Sequence, residues 1–143
     1  MLEFAVPFTL PRNGEMNGLH LIADIYRCRP NAELLTRRAA LENLCVRECR
    51  NAGLSPLGAY FYQFEDEAGE PAGVTGTVVL AESHLAIHTW PETGDVTLDV
   101  YVCNFSRDNS DRARHVFQRV IDALAPEETV RHEVIRGRLP VEA

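Results

Sequence analysis

"VTGTVVLAESHLAIHTWPE", residues 74–92, is the stretch on which the fold turns. β-branched residues fill its first half. After a break near Glu82–Ser83, apolar and polar residues alternate again as far as Trp90. The pattern predicts two strands, joined where the break falls. A third follows directly. "DVTLDVYVC", residues 95–103, puts Val96, Leu98, Val100 and Val102 on one side, with Asp95, Thr97, Asp99, Tyr101 and Cys103 on the other. One face of these strands is apolar and the other is polar.

The flanking segments extend this layer and supply a second one. "GLHLIADIYRC", residues 18–28, alternates in the same way: Leu19, Leu21, Ala23 and Ile25 oppose His20, Asp24, Tyr26 and Cys28. Residues 1–17, with Pro7, Pro11 and Gly14, read as irregular. "PNAELLTRRAALENLCVRECRNAG", residues 30–53, predicts a helix of about six turns, capped by Asn31 and ended by Gly53. Leu34, Leu41, Leu44 and Cys45 form its apolar stripe, and Cys45 and Cys49 read as core thiols. "PLGAYFYQF", residues 56–64, is a strand, and the acidic "EDEAGEPAG", residues 65–73, is a hairpin connection. Ala113, Val116, Phe117, Val120, Ile121 and Leu124 recur at helical spacing within residues 106–126, and Pro126 follows. A short strand, residues 129–137, closes the pattern. The expected fold is α+β: a two-layer sandwich, mostly antiparallel sheet, with two helices packed on one face.

Bulk properties narrow the function classes. The chain has 143 residues, which suits a single domain over 1–143. Fourteen basic residues stand against 21 acidic ones, a net charge of −7. That excess opposes a nucleic-acid backbone or an anionic membrane surface as partner. The opening "MLEFAVPFTL" carries no basic segment ahead of a long apolar run, so a cytoplasmic location is expected. The four cysteines form no CxxC pair.

The centre of the deciding stretch holds the chemistry. His84 and His88 are four residues apart. On a helix they would share a face, but along a strand that spacing is about 13 Å, too far for one ion, so no metal is expected. Ser83 with His88 suggests a hydrolytic triad only weakly, since no GxSxG turn surrounds the serine. Taken singly, each of these residues reads more readily as structural.

Together they read differently. "ESHLAIHTWPE" followed by "LDVYVC" resembles the bacterial S-adenosylmethionine decarboxylase proenzymes, a pyruvoyl-dependent family. The matching features are the Glu82–Ser83 pair, a histidine five residues after the serine, the Thr-Trp-Pro-Glu run and a cysteine twenty residues after the serine. "GVTG", residues 73–76, and "GLHLIADIYRC" match upstream, so the likeness covers about residues 18–137.

The resemblance implies self-processing. The Ser83 hydroxyl would attack the Glu82 carbonyl, giving a β chain of residues 1–82 and an α chain from position 83 to 143. Ser83 would become the pyruvoyl group, which takes the substrate amine as a Schiff base. By the same resemblance His88 is the processing base and Thr75 stands where the family has a supporting serine. Cys103 matches the proton donor of the decarboxylation. Histidine titrates near neutrality and a thiol near pH 8.5, so both residue types suit those roles. Phe64 aligns with an adenine-stacking phenylalanine, and Glu92 is the candidate for the ribose hydroxyls. The expected product is decarboxylated S-adenosylmethionine for spermidine synthesis, made by a homodimer. Thr93 and Asp95 stand where relatives commonly carry tyrosines, and Tyr62 where histidine is common. The added carboxylate of Asp95 suits a cationic substrate, so arginine or ornithine is the alternative substrate. A catalytically silent regulatory relative is the alternative of a different class.

Overall fold

The computed structural model describes residues 17–30, 33–105 and 107–137. The irregular opening segment read from the sequence, and the proposed Asn31 cap, lie outside these residues. In chain order the elements are β1 (Asn17–Tyr26), α1 (Arg38–Asn51), β2 (Pro56–Glu65), β3 (Pro71–Leu80), β4 (His84–Trp90), β5 (Asp95–Cys103), α2 (Ser110–Leu124) and β6 (Glu128–Gly137). The six strands form one sheet in the order β2-β3-β4-β5-β1-β6. Every pairing is antiparallel. The expected α+β sandwich is present.

The period-two patterns decide which face is covered. Leu85 and Ile87 of β4, Val96, Leu98, Val100 and Val102 of β5, and Leu19, Leu21, Ala23 and Ile25 of β1 are buried. Leu41, Leu44, Cys45 and Cys49 of α1 pack on that face with Val116, Val120, Ile121 and Leu124 of α2. Burial raises the Cys49 thiol to about 12 and takes Cys45 further still, so both are inert core thiols. Among the described residues the opposite face carries no helix, and Tyr60, Tyr62, Phe64, Trp90, Val130 and Val134 stand exposed.

Several boundaries differ from the sequence reading. Helix α1 starts at Arg38, about two turns later than expected. Residues 33–36 form a turn instead, with Leu34 buried in it. The cap comes from a distant strand. The Arg38 N–H donates to Oε1 of Gln63 at 2.7 Å, and Gln63 Nε2 donates to the Thr36 carbonyl at 2.7 Å. Thr89 Oγ1 of β4 ties the same turn down by donating to the Leu35 carbonyl at 2.7 Å. Strand β3 begins at Pro71, so the hairpin connection is only residues 66–70, closed by Asp66 accepting from the N–H groups of Ala68 and Glu70. Strand β1 ends at Tyr26. Arg27 adopts a left-handed φ of 53°, and Cys28 turns into the interior rather than lying on the polar face. The closing strand is not short: β6 pairs with β1 along ten residues.

No helix among the described residues is long and apolar enough to cross a membrane.

Candidate functional site

The break foreseen near Glu82–Ser83 is a tight turn. The Leu80 N–H donates to the Ser83 carbonyl at 2.9 Å, and Ser83 N–H donates back to Leu80 at 3.4 Å. Neither Ala81 nor Glu82 has a positive φ, so this is not one of the primed turns that usually join two-residue hairpins. It leaves Ser83 beside the C-terminal end of β5. The Cys103 N–H donates to Ser83 Oγ at 3.3 Å. Residues 83 and 103 are twenty apart in sequence, and the β4–β5 register, His84 opposite Tyr101, makes them neighbours.

Gly18 shapes this end of the sheet. It lies opposite Cys103 on one side and Arg136 on the other. The Tyr101 ring folds over it: a Cβ at Gly18 would sit 2.8 Å from Tyr101 Cε1 and 2.7 Å from the Val102 carbonyl oxygen. Arg136 stacks its guanidinium 4.5 Å from the Tyr101 ring centre. Burial, and then the neighbouring Cys103, raises the Tyr101 phenol above its usual value. The sequence reading placed Tyr101 on the polar face but assigned it no role. Its position beside Cys103 depends on a glycine 83 residues away, which no local pattern reveals.

A second group forms at the other end of the same face. Thr75 of β3 is paired with His88 of β4, and Thr75 Oγ1 lies 3.1 Å from His88 Nδ1. The Trp90 ring stands beyond His88, 6.3 Å between centres. Phe64 is 48% exposed and packs edge-on against Tyr62. The core phenylalanine of β2 is Phe61, whose ring covers Gly76 of the Gly-Val-Thr-Gly run. Glu92 is exposed in the turn between β4 and β5, and Asp95 opens β5 opposite Trp90.

The expected site residues thus fall into two sets. Ser83 meets Cys103, and Thr75 meets His88. Phe64, Glu92 and Asp95 lie at the His88 end. The two sets do not meet within one chain. Five residues of extended β4 separate His88 from Ser83, about 17 Å. Strand geometry also keeps His84 and His88 apart, as the spacing argument required.

A family model described as S-adenosylmethionine decarboxylase matches residues 19–137. The chain is 38% identical over 120 residues to an S-adenosylmethionine decarboxylase proenzyme of Picrophilus torridus, covering 84% of each chain. It is 37% identical over 109 residues to the proenzyme of the same name from Aquifex aeolicus, covering 76% of this chain and 73% of the relative. The crystal structure of the adenosylmethionine decarboxylase from Aquifex aeolicus superposes with a TM-score of 0.70 at 31% identity. That match covers 90% of this chain and 95% of the other.

Proposed function

The chain belongs to the S-adenosylmethionine decarboxylase family, and on that premise we propose that it decarboxylates S-adenosylmethionine after cutting itself between Glu82 and Ser83. The observation that carries this reading is the meeting of Ser83 and Cys103 at the β3–β4 turn. The word proenzyme in the relatives' names supports the cut. Neither relative named above is called an arginine or ornithine decarboxylase.

Ser83 Oγ adds to the Glu82 carbonyl carbon, and the Ser83 nitrogen leaves that carbon as an amine. The Glu82 acyl group then rests on the serine oxygen as an ester. Removal of the Ser83 Cα proton expels the Glu82 carboxylate, and the remaining dehydroalanine takes up water and loses ammonia. The outcome is a β chain of residues 1–82 and an α chain of residues 83–143 that begins with a pyruvoyl group. The residues around Ser83 suit that group: the serine is at a chain reversal, beside a thiol and the uncovered face of the sheet. Once formed, the pyruvoyl group supplies a ketone for the substrate amine and an electron sink for loss of the carboxylate. Cys103 holds the proton delivered to the carbon that has lost carbon dioxide.

The working enzyme in this reading is a homodimer. His88, Thr75, Phe64 and Glu92 lie too far along the sheet to serve the Ser83 of their own chain. A second copy, related by a two-fold axis and laid face to face on the uncovered sheet, carries its His88 end over the Ser83 end of the first. The same stacking covers Tyr60, Tyr62, Phe64 and Trp90, which otherwise stand in water. His88 then acts as the base for the elimination, held by Thr75. Phe64 stacks on the adenine, Glu92 takes the ribose hydroxyls, and Asp95 lies beside the sulfonium.

Intact mass and release of carbon dioxide from S-adenosylmethionine test the reading. Two fragments, one keto-terminated, and turnover are expected. A single 16.0 kDa chain under every condition sinks it. Co-expressing Ser83→Ala with His88→Ala tests the shared site: mixed dimers should recover a processed fraction, and no recovery counts against the two-fold arrangement.

A further inference from the structure

Three strands gather a group of side chains that the reaction above does not use. His20 of β1 and His84 of β4 both pair with Tyr101 of β5, one from each side. Asp99 is the next residue of β5 on that face. Nε2 of His20 lies 2.9 Å, and Nε2 of His84 3.1 Å, from the same oxygen, Oδ1 of Asp99. These three atoms all lie within 4.8 Å of one another. Strands β1 and β4 are about 10 Å apart across β5, so both imidazoles lean inward to converge. Their rings meet edge-on, 6.0 Å between centres.

We propose that His20, His84 and Asp99 form a site for a divalent cation of the zinc type. The donor set is two imidazole nitrogens and one carboxylate oxygen, which suits zinc, cobalt or nickel better than magnesium or calcium, whose ligands are oxygens. Bond lengths of about 2.0–2.1 Å set neighbouring ligands about 3.3 Å apart in a tetrahedron, close to the two distances observed here. An ion replaces the two hydrogen bonds, and the two imidazole nitrogens, within 4.8 Å of each other, close toward it. Each ligand stands on a different strand, and backbone pairing on both sides of β5 holds the three in place. In a single chain the side chains are 21%, 40% and 31% exposed, and in the face-to-face pair proposed above the site lies between the two sheets. The sequence pointed away from metal because it offered His84 only His88 as a partner. The sheet gives it His20 instead, 64 residues away.

A bound ion ties the first residue of β4, next to Ser83, to β5 and β1. It thereby steadies the strand that begins one residue after the proposed cut. The site itself does not depend on the decarboxylase reading, and its test reads metal rather than turnover.

Chelator-treated full-length protein is titrated with Zn2+ by calorimetry and with Co2+ by visible absorption. One ion per chain is expected, with cobalt bands of low-symmetry four- or five-coordination. His20→Gln and Asp99→Asn should each weaken binding by ~10–100-fold or more, the loss that removing even an indirect partner brings. His88→Gln should leave the affinity unchanged. Wild-type imidazole proton resonances give a second measurement that needs no variant: His20 and His84 should move with Zn2+, while His88, His115 and His132 stay. Absence of binding at 100-fold excess metal over ~1 μM protein, full affinity in both His20→Gln and Asp99→Asn, or movement of His88 in place of His20, overturns the site and leaves a hydrogen-bonded cluster only.

Discussion

Thr75 and His88 face each other across the β3–β4 pair, hydroxyl oxygen 3.1 Å from ring Nδ1. The contact holds the ring through Nδ1, so in the proposed reaction Nε2 is the nitrogen that takes the proton. Thr75→Val keeps the shape and removes the contact. Processing should slow by about 10-fold, the worth of roughly one hydrogen bond to a group that becomes charged. His88→Ala should slow it by ~100-fold or more, the range for loss of a positioned base. Thr75→Ser should stay near wild type. Fragment appearance on denaturing gels over time measures all three; equal rates for Thr75→Val and wild type would remove Thr75 from the process.

In the proposed reaction Cys103 is separable from the cut. Cys103→Ala should still give both fragments, while carbon dioxide release falls by ~100-fold or more. Ser83→Ala should give one intact chain and no turnover. A Cys103→Ala protein that decarboxylates at the wild-type rate assigns the proton to another group.

Gly18 is needed for close approach. In Gly18→Ala the new methyl meets the Val102 carbonyl oxygen at 2.7 Å, and that oxygen belongs to a paired strand. The ladder must give way, at about 1–3 kcal/mol. Tyr101 must also leave Cys103. Urea unfolding should show the loss of stability, and Tyr101→Phe, which keeps the ring, should not share it.

The buried thiols make stability sensitive to alkali. Burial raises Cys28 to about 11 and Cys49 to about 12, and Cys45 beyond them, from an ordinary 9.0. The fold therefore favours the neutral thiol. Its contribution is complete below pH ~9, where the unfolded chain also holds the proton, and is lost as pH climbs from there toward 11 and 12. Urea midpoints from pH 7 to 10.5 should be flat and then fall. The Cys45→Ala, Cys49→Ala double variant should start lower at pH 7, from lost packing, and fall less steeply.

At the start of α1 a distant partner overrides the local pattern. Helix α1 was drawn too long because its composition from residue 32 onward suits a helix. Its true start is set by Gln63, a strand residue whose amide caps Arg38 and holds Thr36. Cys28 was assigned to a polar face because alternation was carried past Tyr26, whereas the left-handed turn at Arg27 breaks the period. Phe64 could not be separated from Phe61 by pattern, since consecutive aromatics fill both faces of β2.

The sequence by itself determined the periods, and with them the six strands, the two helices and the faces that β1 and β5 bury, because side-chain direction follows from local backbone geometry. It also carried the family resemblance at Glu82–Ser83, since that pair is adjacent along the chain and its flanking run is distinctive. Register belonged to the tertiary structure alone. Only the pairing of β4 with β3 and β5, and of β5 with β1, set Ser83 against Cys103, Thr75 against His88, and His84 against Asp99 and His20. It also left Ser83 and His88 far apart in one chain. Contacts between strands are fixed by packing of a whole apolar face, a sum over many residues that no short stretch contains.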